Sequence, residues 1–262
     1  MSNYYIFKVQ LLAMGKYKIN SVSDNGVFVV TESFIKLCKT FKSLKNRRGK
    51  IIHVIGAPGT GKSANIYAAL EDLGLKVYDV ESPIENADIS SEEVFKGVFK
   101  EIKEDLKAKS KDEVYESLSK YDALLFADRF HDSHLMGKDT VGFSVWTANA
   151  GSKPTKFYLM CMFEYFNERN AFKNINIILQ TAWRFNFRGK KYDIFSDLGI
   201  ISKTVVALMR TFFDVVVISY SPQETFEIVK SHVNTDDQLI ESYIHKYGSK
   251  TRLICQSLEK DE

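Results

Sequence analysis

The sequence predicts an α/β fold, a mostly parallel, doubly wound sheet flanked by helices and followed by a small C-terminal helical segment. Short continuous apolar runs of strand length, at residues 51–55 and 123–127, suit strands buried on both faces of a sheet. Stretches with apolar residues at helical spacing separate such runs, and strands alternating with helices imply a parallel sheet. The composition supplies the core. A chain of 262 residues, 45% hydrophobic and 26% charged, can fill one large domain, which excludes intrinsic disorder.

Taken in order, residues 4–14 are apolar but include Lys8 and Gln10 and follow no basic leader, so a strand or docking segment is expected there rather than a signal peptide or membrane span. Residues 27–30 read as a short strand. Thr31 then caps an amphipathic helix through Phe34, Leu37, Cys38, Phe41 and Leu44. A basic connector, 42–50, leads into the strand at 51–55, a glycine-rich turn and a helix over 62–73. Residues 75–80 form a second strand, and 90–109 a helix with a solvated, charged face. A buried strand over 121–127 ends at Asp128. Residues 130–153, rich in Gly, Asp, Ser and His, read as a long loop on which Lys138, Asp139 and Trp146 are surface candidates without an assigned role. A helix (154–167), a strand (175–180), a helix (203–213), a strand (214–219) and two helices from Pro222 onward complete the chain. The organisation expected is an N-terminal extension at 1–50, a core at 51–221 and a helical segment at 222–262.

Cys38, Cys161 and Cys255 are odd in number and far apart, which predicts neither a disulfide framework nor a zinc site and suits a reducing cytoplasm. The formal charge of +3 excludes a tail-like electrostatic binder. It conceals two cationic stretches, at 42–50 and 184–191, because the acids crowd residues 81–116.

The most specific signal is Gly56-Ala57-Pro58-Gly59-Thr60-Gly61-Lys62-Ser63, which satisfies G-x-x-x-x-G-K-[ST] at every fixed position and lies between a strand and a helix. Glycines let the backbone wrap inward so that N–H groups and the helix N-terminus surround phosphate oxygens. Gly56 to Ser63, with Ala64 in the first helical turn, form the nucleotide-binding set. Lys62 reaches the β- and γ-phosphates, and the Ser63 hydroxyl is a Mg2+ ligand. A magnesium-directed carboxylate belongs at the end of a later apolar strand, where Asp128 stands. Asp214 precedes its strand and would lie at the opposite end of the sheet.

These residues resemble the P-loop NTPases of the additional-strand class, RecA-like and AAA+ families together, over roughly residues 51–219. AAA+ proteins follow the Walker B acid with a catalytic glutamate, whereas Asp128 is followed by Arg129, a departure that favours the RecA-like side. The resemblance implies that the water-orienting carboxylate ends the strand after the P-loop helix, where Glu81 stands with Asp79 as the alternative. It also implies a polar sensor at the end of the strand beside the P-loop strand, a position that Gln180 fills in RecA-like fashion and Thr181 in AAA+ fashion. ATP and Mg2+ are the implied ligands.

Residues 181–192 follow at once, with Trp183, Arg184, Phe185, Phe187, Arg188, Lys190, Lys191 and Tyr192 alternating cations and rings in a segment of loop character. Such interleaving suits nucleic acid, single-stranded or duplex, because cations track phosphates while rings stack on bases. The period-two spacing of Trp183, Phe185 and Phe187 equally suits an extended segment that buries its rings. Arg129, Arg184, Arg188 and Arg210 are alternatives for an arginine finger within a homo-oligomer. Asp128, His131, Asp132 and His134 match no metal-ligand spacing.

The function expected is Mg-dependent ATP binding and hydrolysis coupled to nucleic-acid or assembly work. The alternative is a slowly hydrolysing AAA+-like or regulatory switch that binds a protein partner. A small-molecule kinase is less favoured, since no basic lid pattern encloses the phosphates.

Overall fold

The computed structural model describes residues 6–8, 27–80, 84, 88–126, 146, 152–181, 184–187 and 190–261. Its centre is a five-stranded, wholly parallel sheet built from β3 (Ile51–Ile55), β4 (Val77–Asp79), β5 (Ala123–Phe126), β6 (Ile177–Thr181) and β9 (Asp214–Val217), in the order β4-β5-β6-β3-β9. Two antiparallel pairs stand apart from it, β1 (Ile6–Lys8) with β2 (Val27–Val29), and β7 (Arg184–Phe187) with β8 (Lys190–Asp193). The helices are α1 (Glu32–Lys42), α2 (Lys62–Asp72), α3 (Ser91–Asp105), α4 (Lys111–Leu118), α5 (Lys153–Asn167), α6 (Arg169–Phe172), α7 (Ile200–Met209), α8 (Pro222–Lys230), α9 (Asp237–Tyr247) and α10 (Thr251–Asp261).

Strand periodicity decides the layers. Ile52 and Val54 of β3, with Leu125 and Ile178, pack against Phe34, Leu37 and Phe41 of α1 and Ile66 and Ala69 of α2. Ile51, Leu124 and Ile177 face the other way, onto Val94, Val98 and Ile102 of α3, Tyr115 of α4 and Phe157 of α5. Alternate residues thus bury both faces of the sheet, which is why β3 and β5 read as largely apolar runs. The α/β class expected from the sequence is the one observed.

Local capping explains where the helices start. The Thr31 hydroxyl accepts from Phe34 N at the head of α1, and Ser90 forms a reciprocal capping box with Glu93 at the head of α3. Four expectations need correction. Helix α4 was not foreseen, although Ser110 caps it. The chain from Pro222 makes three helices rather than two, because Gly248, at φ 62°, ends α9 and lets α10 begin. The segment after β6 is a β-ribbon rather than a loop, as its period-two spacing allowed. Trp146 is a core residue, fully buried, with its indole N–H donating to Ile89 O at 3.2 Å and its ring edge-on to Phe157. The rest of the 130–153 segment expected as a loop lies outside the described residues up to Ser152.

Asn176 ties the lower ends of three strands together. Its side chain, fully buried, accepts from Lys50 N at 3.0 Å and donates to Arg47 O at 2.8 Å and Asp122 O at 2.9 Å. Asn176→Ala strips these partners inside the protein and is expected to cost about 3 kcal/mol. Urea unfolding should show a lower midpoint at unchanged slope.

Candidate functional site

The glycine-rich loop leaves the end of β3, the fourth strand in the sheet order, and enters α2. It is held open by satisfying its carbonyls. Gly56 O and Ala57 O accept from Lys62 Nζ at 2.8 and 3.1 Å, and Ala57 O also accepts from the Thr60 hydroxyl at 2.8 Å. Gly59 O accepts from Arg252 N and Thr251 Oγ1, both at 3.1 Å, which docks the head of α10 on the loop. The Tyr220 hydroxyl donates to Thr60 O at 2.7 Å and accepts from Asn65 Nδ2 at 2.8 Å, and the same Nδ2 donates to Gly61 O at 2.9 Å. Burial raises the Tyr220 hydroxyl's pKa, keeping it a neutral donor. With these carbonyls engaged by the protein, the loop can offer N–H groups to an anion.

Gly59 and Gly61 take φ of 82° and 67°, in the left-handed region. Gly56 matters for a different reason, close approach to the backbone of Ile218. The sequence pattern therefore coincides with a backbone of the shape it requires.

Lys62 is buried within this loop, and the Ser63 hydroxyl donates to Gln180 Oε1 at 2.9 Å. Strand β6 pairs with β3 in register, Val54 opposite Gln180 and Ile55 opposite Thr181. The structure thus brings Gln180 to the first residues of α2, at the position expected of a sensor. Thr181 instead meets the buried His53, its Oγ1 3.0 Å from His53 Nδ1. Burial lowers the His53 pKa to about 4, so this imidazole is neutral near pH 7. Asp79 accepts from Tyr67 of α2 at 2.6 Å, a bond between a sheet-edge strand and the helix that follows the glycine-rich loop.

The remaining expected residues divide by place. Glu81, Asp128, Arg129, Trp183 and Arg188, with the His131 and His134 cluster, lie outside the described residues. Arg184, Lys190 and Lys191 are placed on the β7–β8 ribbon by their backbone. Asp214 opens β9 and pairs with Lys50 at 3.1 Å, at the end of the sheet away from the loop. Among the described residues no group of three or more His, Cys, Asp and Glu is arranged to hold a metal ion, and no helix is long and apolar enough to cross a membrane. A magnesium ion at a P-loop needs no such group, because it takes one or two protein oxygens and completes its shell with phosphate and water.

The site also contains residues that carried no motif. Asn65 and Tyr220 lie 155 residues apart, a pairing that only the fold reveals. Arg252 and Thr251 reach Gly59 from the C-terminal segment. Asp193, at the end of β8, is 1% exposed, and burial disfavours its charged form more than the Phe195 N–H and the positive charge of Lys62 favour it. Its pKa is therefore raised overall. A separate cleft of about 590 Å3, lined by Met162, Phe166, Arg210 and Phe212 among others, opens at the lower ends of β3 and β9 and takes no part in the loop.

No protein family and no curated protein matches the chain. Among solved structures, AMPPCP-bound DnaA from Aquifex aeolicus is similar at 18% identity and a TM-score of 0.44, over 92% of this chain and 64% of that one. The chain therefore spans just under two thirds of the length of that DnaA structure.

Proposed function

We propose that the chain binds ATP at the Gly56–Ser63 loop and hydrolyses it, in the manner of a P-loop ATPase. The observation that carries this is the loop itself: a G-x-x-x-x-G-K-S turn between a buried strand and a helix, its carbonyls engaged by protein donors and its lysine buried inside it. In this reading Lys62 binds the β- and γ-phosphates, and Gln180, already bonded to Ser63, senses the γ-phosphate. The donor set of one hydroxyl, Ser63, and one carboxylate, Asp128, suits Mg2+, which would neutralise charge developing on the phosphates. Glu81 orients and deprotonates the attacking water. The N-terminal extension (1–50), the core (51–221) and the helical segment (222–262) are then the parts of one nucleotide-responsive unit, whose C-terminal helices lean on Gly59.

Coupling to nucleic acid rests on the cations and rings in and around the β7–β8 ribbon, which begins within three residues of Thr181. ATP turnover should be measured alone and with single-stranded DNA, RNA and duplex. Stimulation is expected, with Arg184→Ala or Arg188→Ala lowering the stimulated rate several-fold, about 1 kcal/mol of lost phosphate contact, without abolishing nucleotide binding. A rate indifferent to every nucleic acid would remove the coupled function. The second reading, a slowly hydrolysing switch that binds a protein partner, is favoured by Arg129 standing where a glutamate would follow the acid. Fast basal turnover lost in Glu81→Gln would contradict it.

A further inference from the structure

Both legs of the β7–β8 ribbon are anchored beside the Gly56–Ser63 loop. The first follows β6, whose Gln180 accepts from the Ser63 hydroxyl. The second ends at Asp193, paired across the ribbon with Arg184. One Asp193 carboxylate oxygen, Oδ1, accepts from Phe195 N at 2.9 Å and from the Ser196 hydroxyl at 3.3 Å, closing a tight turn. Phe195 packs on Ile55, the last residue before the loop, and on Val206 of α7. The second leg is thereby seated against the base of the loop. The other oxygen, Oδ2, is buried without a hydrogen-bond partner among the described residues. A buried carboxylate oxygen that lacks a donor is costly unless a cation lies near, and the packing of Phe195 on Ile55 brings this turn to the residue before Gly56, whose carbonyl accepts from the Lys62 ammonium.

We propose that Asp193 relays the occupancy of the phosphate site to the ribbon: it reads the Lys62 ammonium and makes the second leg respond when phosphate binds. This rests on the reading of the loop as a nucleotide site. Lys62 here donates to Gly56 O and Ala57 O. A triphosphate or diphosphate competes for the same ammonium, so its arrival changes the field at Asp193 while Ser63 and Gln180 change partners on the first leg. Two legs reporting one event would move the ribbon as a unit, whereas a single leg would only twist it. The residues on the ribbon that suit nucleic acid would then be presented according to the nucleotide held.

Amide hydrogen exchange of peptides covering 184–193 tests this, with the full chain alone, with Mg-ADP and with a Mg-bound non-hydrolysable ATP analogue. In the wild type the analogue should change ribbon exchange roughly tenfold, within the usual range of coupling energies. Asp193→Asn keeps an acceptor for Phe195 N and removes the charge. It should bind both nucleotides no more weakly than wild type, exchange like wild type without nucleotide, and lose the response. Asp193→Ala, which also removes the turn, should raise exchange in every state. A purely structural role predicts the reverse pattern, with Asp193→Asn responding like wild type, and that result would overturn the proposal. So would a wild-type ribbon that does not respond although nucleotide binds, or affinity falling tenfold in Asp193→Asn, which would make Asp193 a direct ligand. Failure of the wild type to bind either nucleotide is a different outcome: it overturns the nucleotide-site reading and this proposal with it.

Discussion

Lys62→Ala should weaken nucleotide binding about a hundredfold, because a charge-assisted hydrogen bond from a buried ammonium to phosphate is worth about 3 kcal/mol. The geometry supports the upper part of the usual range. Lys62 is 6% exposed, so its charge is little screened by water, and its ammonium already lies against Gly56 O and Ala57 O inside the turn. No other cation is built into the turn: residues 56–61 are Gly, Ala, Pro, Gly, Thr and Gly. The fold should survive, since both faces of the sheet are buried by residues other than Lys62. Titration with ADP and with an ATP analogue, beside a thermal melt of the same samples, separates the two effects. Wild-type affinity in a folded Lys62→Ala would end the nucleotide-site reading.

The parts of this site that could be read in the sequence are those whose cause is local. Four of the five residues of the 51–55 run are aliphatic, around the buried His53, because β3 has a neighbour on each edge and a helical layer on each face, and the glycines are spaced by the curvature of a single turn. The adjacency of β6 to β3 came instead from resemblance, since nothing in 175–181 specifies its neighbour. The braces escaped for a physical reason. Tyr220 and Arg252 act on the loop across long sequence separations, Asn65 only joins Tyr220 to its near neighbour Gly61, and a single Tyr, Asn or Arg at a helix or strand end has no periodicity to read. Asp193 did have a weak local signal, the Asp-x-Phe-Ser turn pattern, but its meaning depends on Lys62, which lies 131 positions earlier. Helix α4 carries a local signal too, Ser110-x-x-Glu113, but a weak apolar pattern, since Val114, Tyr115 and Leu118 are its only large apolar residues. Gly248 likewise marks the break between α9 and α10. Local rules thus locate the glycine-rich turn, and long-range packing decides what holds it in shape.

Packing of that kind predicts opposite outcomes for one substitution at two glycines. At Gly56 a Cβ would stand 2.5 Å from Ile218 O and 3.1 Å from Thr60 Oγ1. The nearer atom is backbone, and it has little freedom to retreat. Ile218 N donates to Ile55 O at 2.7 Å, extending the β3–β9 pairing, and the Ile218 side chain is fully buried in the core shared by α1 and α2. Relief requires β3 and β9 to part at their upper ends, so Gly56→Ala should cost 4 kcal/mol or more, about 10 °C or more in Tm for a chain of this size. The displaced loop should also lose nucleotide. At Gly74, φ is 56° and nothing lies within 4 Å of the added methyl. Only the left-handed backbone resists there, at about 1 kcal/mol and roughly 3 °C, and nucleotide binding should be retained. Melting both variants beside the wild type, with and without ADP, distinguishes packing from a general intolerance of alanine at positive φ. Equal losses at the two positions would mean that Gly56 is not wedged against Ile218, whereas a large loss confined to Gly56 identifies Ile218, just beyond β9, as the wall against which the glycine-rich loop is shaped.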